Sequence, residues 1–164
     1  MKTKDNHGDI PMNVFLGGYE KIKKVIALAD IDNRVNWVDY NIHGDIDEIR
    51  RIARAYGLIN IDVNDIISTL STTKTNYVTT GNGTGDGRII VALNKAIDKL
   101  PVELQDIERM IVNIWGSKCK PVVLSEIDPM LKRLDTLPEI NLIWGIAVDP
   151  DMNEDIKITL IAVA

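Results

Sequence analysis

Apolar positions recur at helical spacing in some stretches and run together in others, and the two patterns take turns along the chain. Ile22, Val25, Ile26 and Ala29 fall at i, i+3, i+4 and i+7, with Lys21, Lys23 and Lys24 outward, which predicts a helix over 19–29. RVNWVDYNI then reads as a strand. Asp45, with Glu48 three residues on, has the form of a capping box and starts the helix IDEIRRIARAY, which Gly57 ends. A short helix begins near Asn64 in NDIISTLST, YVTT reads as a strand, and Arg88 to Leu100 as a helix stopped by Pro101. RMIVNIW is a strand. Ser125 or the pair Asp128–Pro129 starts a helix that carries Ile127, Met130, Leu131 and Leu134 and ends near Pro138. NLIWGIAV and IKITLIAVA are two apolar strands, joined as a closing hairpin by the acidic turn DPDMNED. This order predicts a mixed sheet with helices on its faces, an α/β (α+β) sandwich of one small domain.

Composition narrows the function more than it changes the fold. With 164 residues, 45% hydrophobic and 26% charged, the chain is long enough to bury a core of its own. A net charge of −5 argues against a nucleic-acid partner, because nothing supplies dense phosphate neutralisation. The longest apolar runs are of strand length and MKTKDNHGDIP has no apolar core, so neither a membrane nor secretion is expected and the cytoplasm is. Cys119 is the one cysteine and reads as an inert thiol in a turn between Lys118 and Lys120. His7 and His43 lie far apart, so no metal cluster is expected. DPDMNED has Asp149, Asp151 and Asn153 at alternate positions, but Glu154 and Leu160 stand where a calcium loop needs its glycine and bidentate glutamate. Trp37, Trp115 and Trp144 read as core or interface aromatics.

GNGTGDGR, Gly81 to Arg88, is the stretch with candidate chemistry. Glycines let backbone N–H groups approach an anion, and the following helix would add its positive end. The same residues make an ordinary strand-to-helix turn.

GLINIDVNDI, Gly57 to Ile66, resembles the Gly-Leu-x-Asn-x-Asp-x-x-Asp loop that follows the core helix of FtsZ, the bacterial cell-division relative of tubulin. Three further matches follow in the same order. GNGTGDGR stands where that family has a glycine run ending in Arg, MIVNIWGS at its Leu-Val-Asn-Ile-Thr-Gly strand, and WGIAVDPDMNEDIKITLIAVA at its closing strands. The resemblance covers residues 45–164 and implies the C-terminal domain of the FtsZ/tubulin family, a mixed four-stranded sheet flanked by helices. Residues 1–44 match nothing recognisable and form an N-terminal extension that would cover apolar surface. Val63 and Asn64 replace the usual Phe-Ala, and Trp115 replaces a Thr.

The resemblance also decides between the two readings of GNGTGDGR. The nucleotide signature of FtsZ is another glycine run, in an N-terminal domain before the loop, so these glycines are a turn and no nucleotide cofactor is expected. In FtsZ the loop of one subunit enters the nucleotide pocket of the next, where its carboxylates orient or deprotonate the attacking water. Asn60, Asp62 and Asp65 would be those residues, acting only in trans, so the chain is not expected to be an enzyme alone. Without a partner, Asn and Asp there would only turn the chain and cap a helix. The implied function is an interaction module that docks on FtsZ or a tubulin-like GTPase and caps or tunes filaments. The alternatives are a structural descendant that assembles with itself or another partner, and a fragment of a longer cell-division GTPase. In FtsZ a flexible tail meets membrane anchors, and no such recruitment is expected here.

Overall fold

Asp45 accepts a hydrogen bond from the Asp47 N–H at 2.9 Å and so caps helix α1, Ile46–Arg54, in the computed structural model, which describes residues 31–164. The capping box expected here does not close, because the Glu48 side chain is drawn into the interior instead. Helix α2, Val63–Thr69, begins at Asp62, and the two helices bury Ile49, Ile52, Ala53, Val63 and Ile66 against the sheet. The helix expected over 19–29 lies outside the described residues.

The sheet has five strands where four were expected, in the order β1-β2-β5-β3-β4. RVNWVDYNI is not one strand: Trp37–Asp39 make a turn of 3-10 helix, and only β1, Asn41–His43, pairs, in parallel with β2, Thr75–Gly83. Asn36 and Asp39 favour turns, and Val38 is 86% exposed, so its β-like apolar residues do not share a buried face. Helix α3, Arg88–Asp98, leads to β3, Arg109–Gly116, and α4, Leu124–Asp135, to β4, Asn141–Val148. Helix α4 starts one residue before Ser125 and continues through Pro129. Glu126 reaches back to the Val123 N–H at 3.1 Å, which fixes that start.

β5, Ile156–Val163, lies between β2 and β3 and is antiparallel to both, while β3 and β4 pair in parallel. The expected closing hairpin is therefore absent: β4 and β5 are consecutive in sequence but β3 stands between them. Burial explains the placement. Ile156, Ile158, Leu160, Ile161, Ala162 and Val163 are each 0% exposed, a strand apolar on both faces that only a central position satisfies. NLIWGIAV is half exposed along its first residues and takes the edge. One core lies between the sheet and α3 and α4, and includes Leu93, Met110, Val112, Met130 and Leu160. The other lies under α1, α2 and residues 31–42, where Ile31 and Val35 join Ile52, Ile66, Ile111 and Trp115.

GNGTGDGR divides between two jobs. Gly81 and Gly83 belong to β2, and a Cβ on Gly83 would stand 1.9 Å from the Arg88 carbonyl oxygen, so these glycines let α3 lie directly on the strand. Gly85 and Gly87, with φ of +68° and +66°, turn the chain into α3.

Candidate functional site

The loop from Gly57 to Asp65 is held along the outer edge of β4. Ile59 exchanges both backbone hydrogen bonds with Ile146, at 3.3 and 2.9 Å, and the Val148 N–H donates to the Tyr56 carbonyl at 2.9 Å. Asn60 is exposed and turns back on its own loop, its Oδ1 accepting from the Gly57 N–H at 3.1 Å. Asp62 and Asp65 are brought together. The Asp65 N–H donates to Asp62 Oδ1 at 2.8 Å and the Asp62 N–H to Asp65 Oδ2 at 3.0 Å, a reciprocal capping box that opens α2. Asp62 is exposed and Asp65 half-buried. Two of the three expected site residues thus share one small acidic surface, and all three also shape the backbone.

The same loop also carries an exposed apolar side chain. Leu58 is 74% exposed and Leu124 79%, and Leu58 lines a cavity of about 280 Å³ with Val122, Ile146 and Val148. The sequence reading missed this cavity because its walls come from three separate segments.

Behind the loop a polar network fixes α1 on the sheet. Glu48 accepts from Lys157 Nζ at 2.5 Å, from the Thr159 hydroxyl at 2.8 Å and from Arg51 at 3.3 Å. Trp115 Nε1 donates to Thr159 at 3.0 Å, and Arg51 lies 5.0 Å from the Trp115 ring centroid while pairing with Asp149 at 2.9 Å. Trp115 is therefore a core residue with a satisfied N–H, at 3% exposure. Sequence spacing held one hint of this network, since Glu48 stands at i with Ile52 at i+4, a carboxylate inside the apolar stripe. Burial, the largest influence on Glu48, raises its pKa, but the hydrogen bonds from Lys157 and Thr159 with the Lys157 and Arg51 charges together hold the group below the ordinary glutamate range. A depressed folded-state pKa stabilises the fold above the unfolded value, about 4.3, and that stability disappears as pH falls through the folded value. Urea midpoints measured from pH 7 to pH 3 should therefore be level near neutrality and drop below about pH 4.5, and Glu48→Gln should flatten part of the drop. An unchanged acid slope in that variant would remove Glu48 from the account.

On the far side of the sheet Arg88 is 0% exposed. Its Nε and Nη2 meet Glu126 at 2.6 and 3.0 Å, and it donates to the carbonyls of Glu154, Lys120 and Pro121. The Arg88 hydrogen bond, the largest influence, holds the Glu126 carboxyl below its usual range. These bonds tie α3 to α4 and to the approach of β5. Cys119 is exposed in the neighbouring turn.

The mixed sheet with helices on both faces is an FtsZ/tubulin-like fold by superposition. The solved FtsZ dimer of M. jannaschii superposes with a TM-score of 0.62 at 17% identity, over 73% of this chain and 35% of that one. A GTPγS-form protofilament of TubZ from Bacillus thuringiensis superposes at 0.51 and 19%, over 72% and 33%. In sequence the chain is FtsZ-like. It is 26% identical over 149 residues to the cell division protein FtsZ of Porphyromonas gingivalis, covering 87% of this chain and 32% of that protein. It is 29% identical over 147 residues to the mitochondrial division protein fszA of Dictyostelium discoideum, covering 87% and 28%. The chain thus spans a third or less of the length of these relatives. The aligned stretch is longer than residues 45–164, so the similarity continues upstream of Asp45, where no motif was recognisable. No protein-family profile matches the chain. Among the described residues no helix is long and apolar enough to cross a membrane.

Proposed function

We propose that the chain is an interaction module of the cell-division filament system, which docks the loop carrying Asn60, Asp62 and Asp65 onto the nucleotide face of an FtsZ-like GTPase and supplies carboxylates there in trans. The observation that carries this reading is the loop itself. It presents two neighbouring carboxylates at the surface, fixes them reciprocally to each other's backbone, and anchors its stem to a sheet edge. A water-orienting or general-base role needs such preorganised carboxylates. The likeness to FtsZ in sequence and to FtsZ and TubZ in fold supports a filament-forming partner.

On this reading the module adds to a filament end through its loop and limits further growth there. Substoichiometric amounts added to FtsZ of the source organism with GTP should shorten filaments, seen as lower light scattering, while the chain alone should release no phosphate. Scattering and phosphate release both unchanged at equal molarity would end the docking reading in favour of self-assembly, to which the TubZ protofilament likeness also points.

A further inference from the structure

Gly57 lies directly on β4. A Cβ there would stand 2.2 Å from the Ile146 carbonyl oxygen and 2.6 Å from the Ala147 Cα, backbone atoms with no free end to swing aside. Gly145 makes the matching contact from the strand, where a Cβ would stand 2.8 Å from the Ile59 carbonyl oxygen and 2.8 Å from Ile61 Cγ1. Neither glycine has a positive φ, so each is needed for close approach and not for a turn. The two contacts bracket the pair of backbone hydrogen bonds between Ile59 and Ile146, and the bond from Val148 to Tyr56 adds to them. Ile61, 2% exposed, is buried over Gly145, and the next residue is Asp62.

We infer that Gly57 and Gly145 are positioning residues for the Asp62 and Asp65 carboxylates, and that the edge of β4, not the end of α1, sets where those groups stand. The inference rests on the docking reading above and names what holds its acidic pair in place. Helix α1 ends at Arg54 and so releases the chain before the loop begins. The chain then meets β4 at Tyr56, Gly57, Ile59 and Ile61, and only after these contacts does Asp62 open α2. Closely packed backbone has no room for a methyl group, so alanine at 57 must lift the loop off the strand. At 145 part of the clash falls on the Ile61 side chain, which can give, so the displacement there is smaller. Either shift passes through Ile61 to the adjoining Asp62 and, through the reciprocal cap, to Asp65.

The test compares Gly57→Ala and Gly145→Ala with Gly85→Ala, whose Cβ would meet nothing within 4 Å and which therefore carries the strain of a positive φ without touching the loop. The amide resonances of Asp62 and Asp65 should move in the first two variants and stay in place in Gly85→Ala. With FtsZ of the source organism and GTP, the maximum stimulated phosphate release should fall about tenfold or more for Gly57→Ala and less for Gly145→Ala. The half-saturating concentration of the chain should stay within about twofold of the wild type, whereas a general loosening of the domain would move both quantities. If Gly57→Ala does not fold, the milder Gly145→Ala decides. Unmoved Asp62 and Asp65 resonances in a folded variant, or full stimulation by it, would overturn the positioning role. A wild-type chain that stimulates nothing ends the docking reading alone, and the amide resonances then decide the positioning by themselves.

Discussion

Replacing Arg88 by methionine should cost the fold about 3–5 kcal/mol, the usual penalty for removing one partner of a buried ion pair. The guanidinium is 0% exposed and satisfies the Glu126 carboxylate and three backbone carbonyls at once. Methionine fills a similar volume but leaves all four acceptors without their donor. Glu126→Gln should cost less, because an amide oxygen still accepts from Arg88 or from the Val123 N–H. Urea unfolding of both variants decides it. A loss below about 1 kcal/mol for Arg88→Met, the level of an exposed pair, would mean that the packing of α3 on β2 holds this corner without the arginine.

The second large effect is on rate. Asp62→Asn together with Asp65→Asn should abolish any stimulation of GTP turnover in the partner, a loss of about 100-fold or more if these carboxylates position or deprotonate water. Asparagine is the informative replacement. Each carboxylate also caps α2, and alanine would lose those hydrogen bonds, worth about 1 kcal/mol each, and so loosen the loop together with its chemistry. Asparagine keeps an acceptor oxygen at both positions and removes only the charge. The doubly substituted chain should still shorten filaments, and phosphate release followed with light scattering separates the outcomes. Full stimulation by the Asn variant would show that Asp62 and Asp65 are helix caps and nothing more.

Much of this architecture was legible in the chain because the signals were local. The helix at 46–54 announced itself by Asp45 and Glu48 at its start, and the loop by its likeness to the Gly-Leu-x-Asn-x-Asp-x-x-Asp pattern. Strand placement was not local. NLIWGIAV and IKITLIAVA look like hairpin partners because only a short turn separates them, yet their burial differs, and the strand apolar on both faces takes the centre. Asn60, Asp62 and Asp65 were found as a motif, but how they are fixed depends on backbone geometry that residue types do not record. The polar network around Glu48 was legible only as one carboxylate out of place, since Lys157 and Thr159 come from the far end of the chain. The cavity beside Leu58 had no sequence signal, because its walls meet only in three dimensions.

The position of β5 has a consequence for how the chain is made. Without residues 156–163, β1 and β2 form one parallel ribbon and β3 and β4 another, and no ladder joins them. During synthesis both ribbons leave the ribosome first, each with an open apolar edge, and wait for the strand that fits between them. Until residues through Val163 have cleared the exit tunnel the two halves are free to pair with the wrong neighbour. Nascent chains stalled just short of that point should need a holding chaperone, and those released beyond it should not.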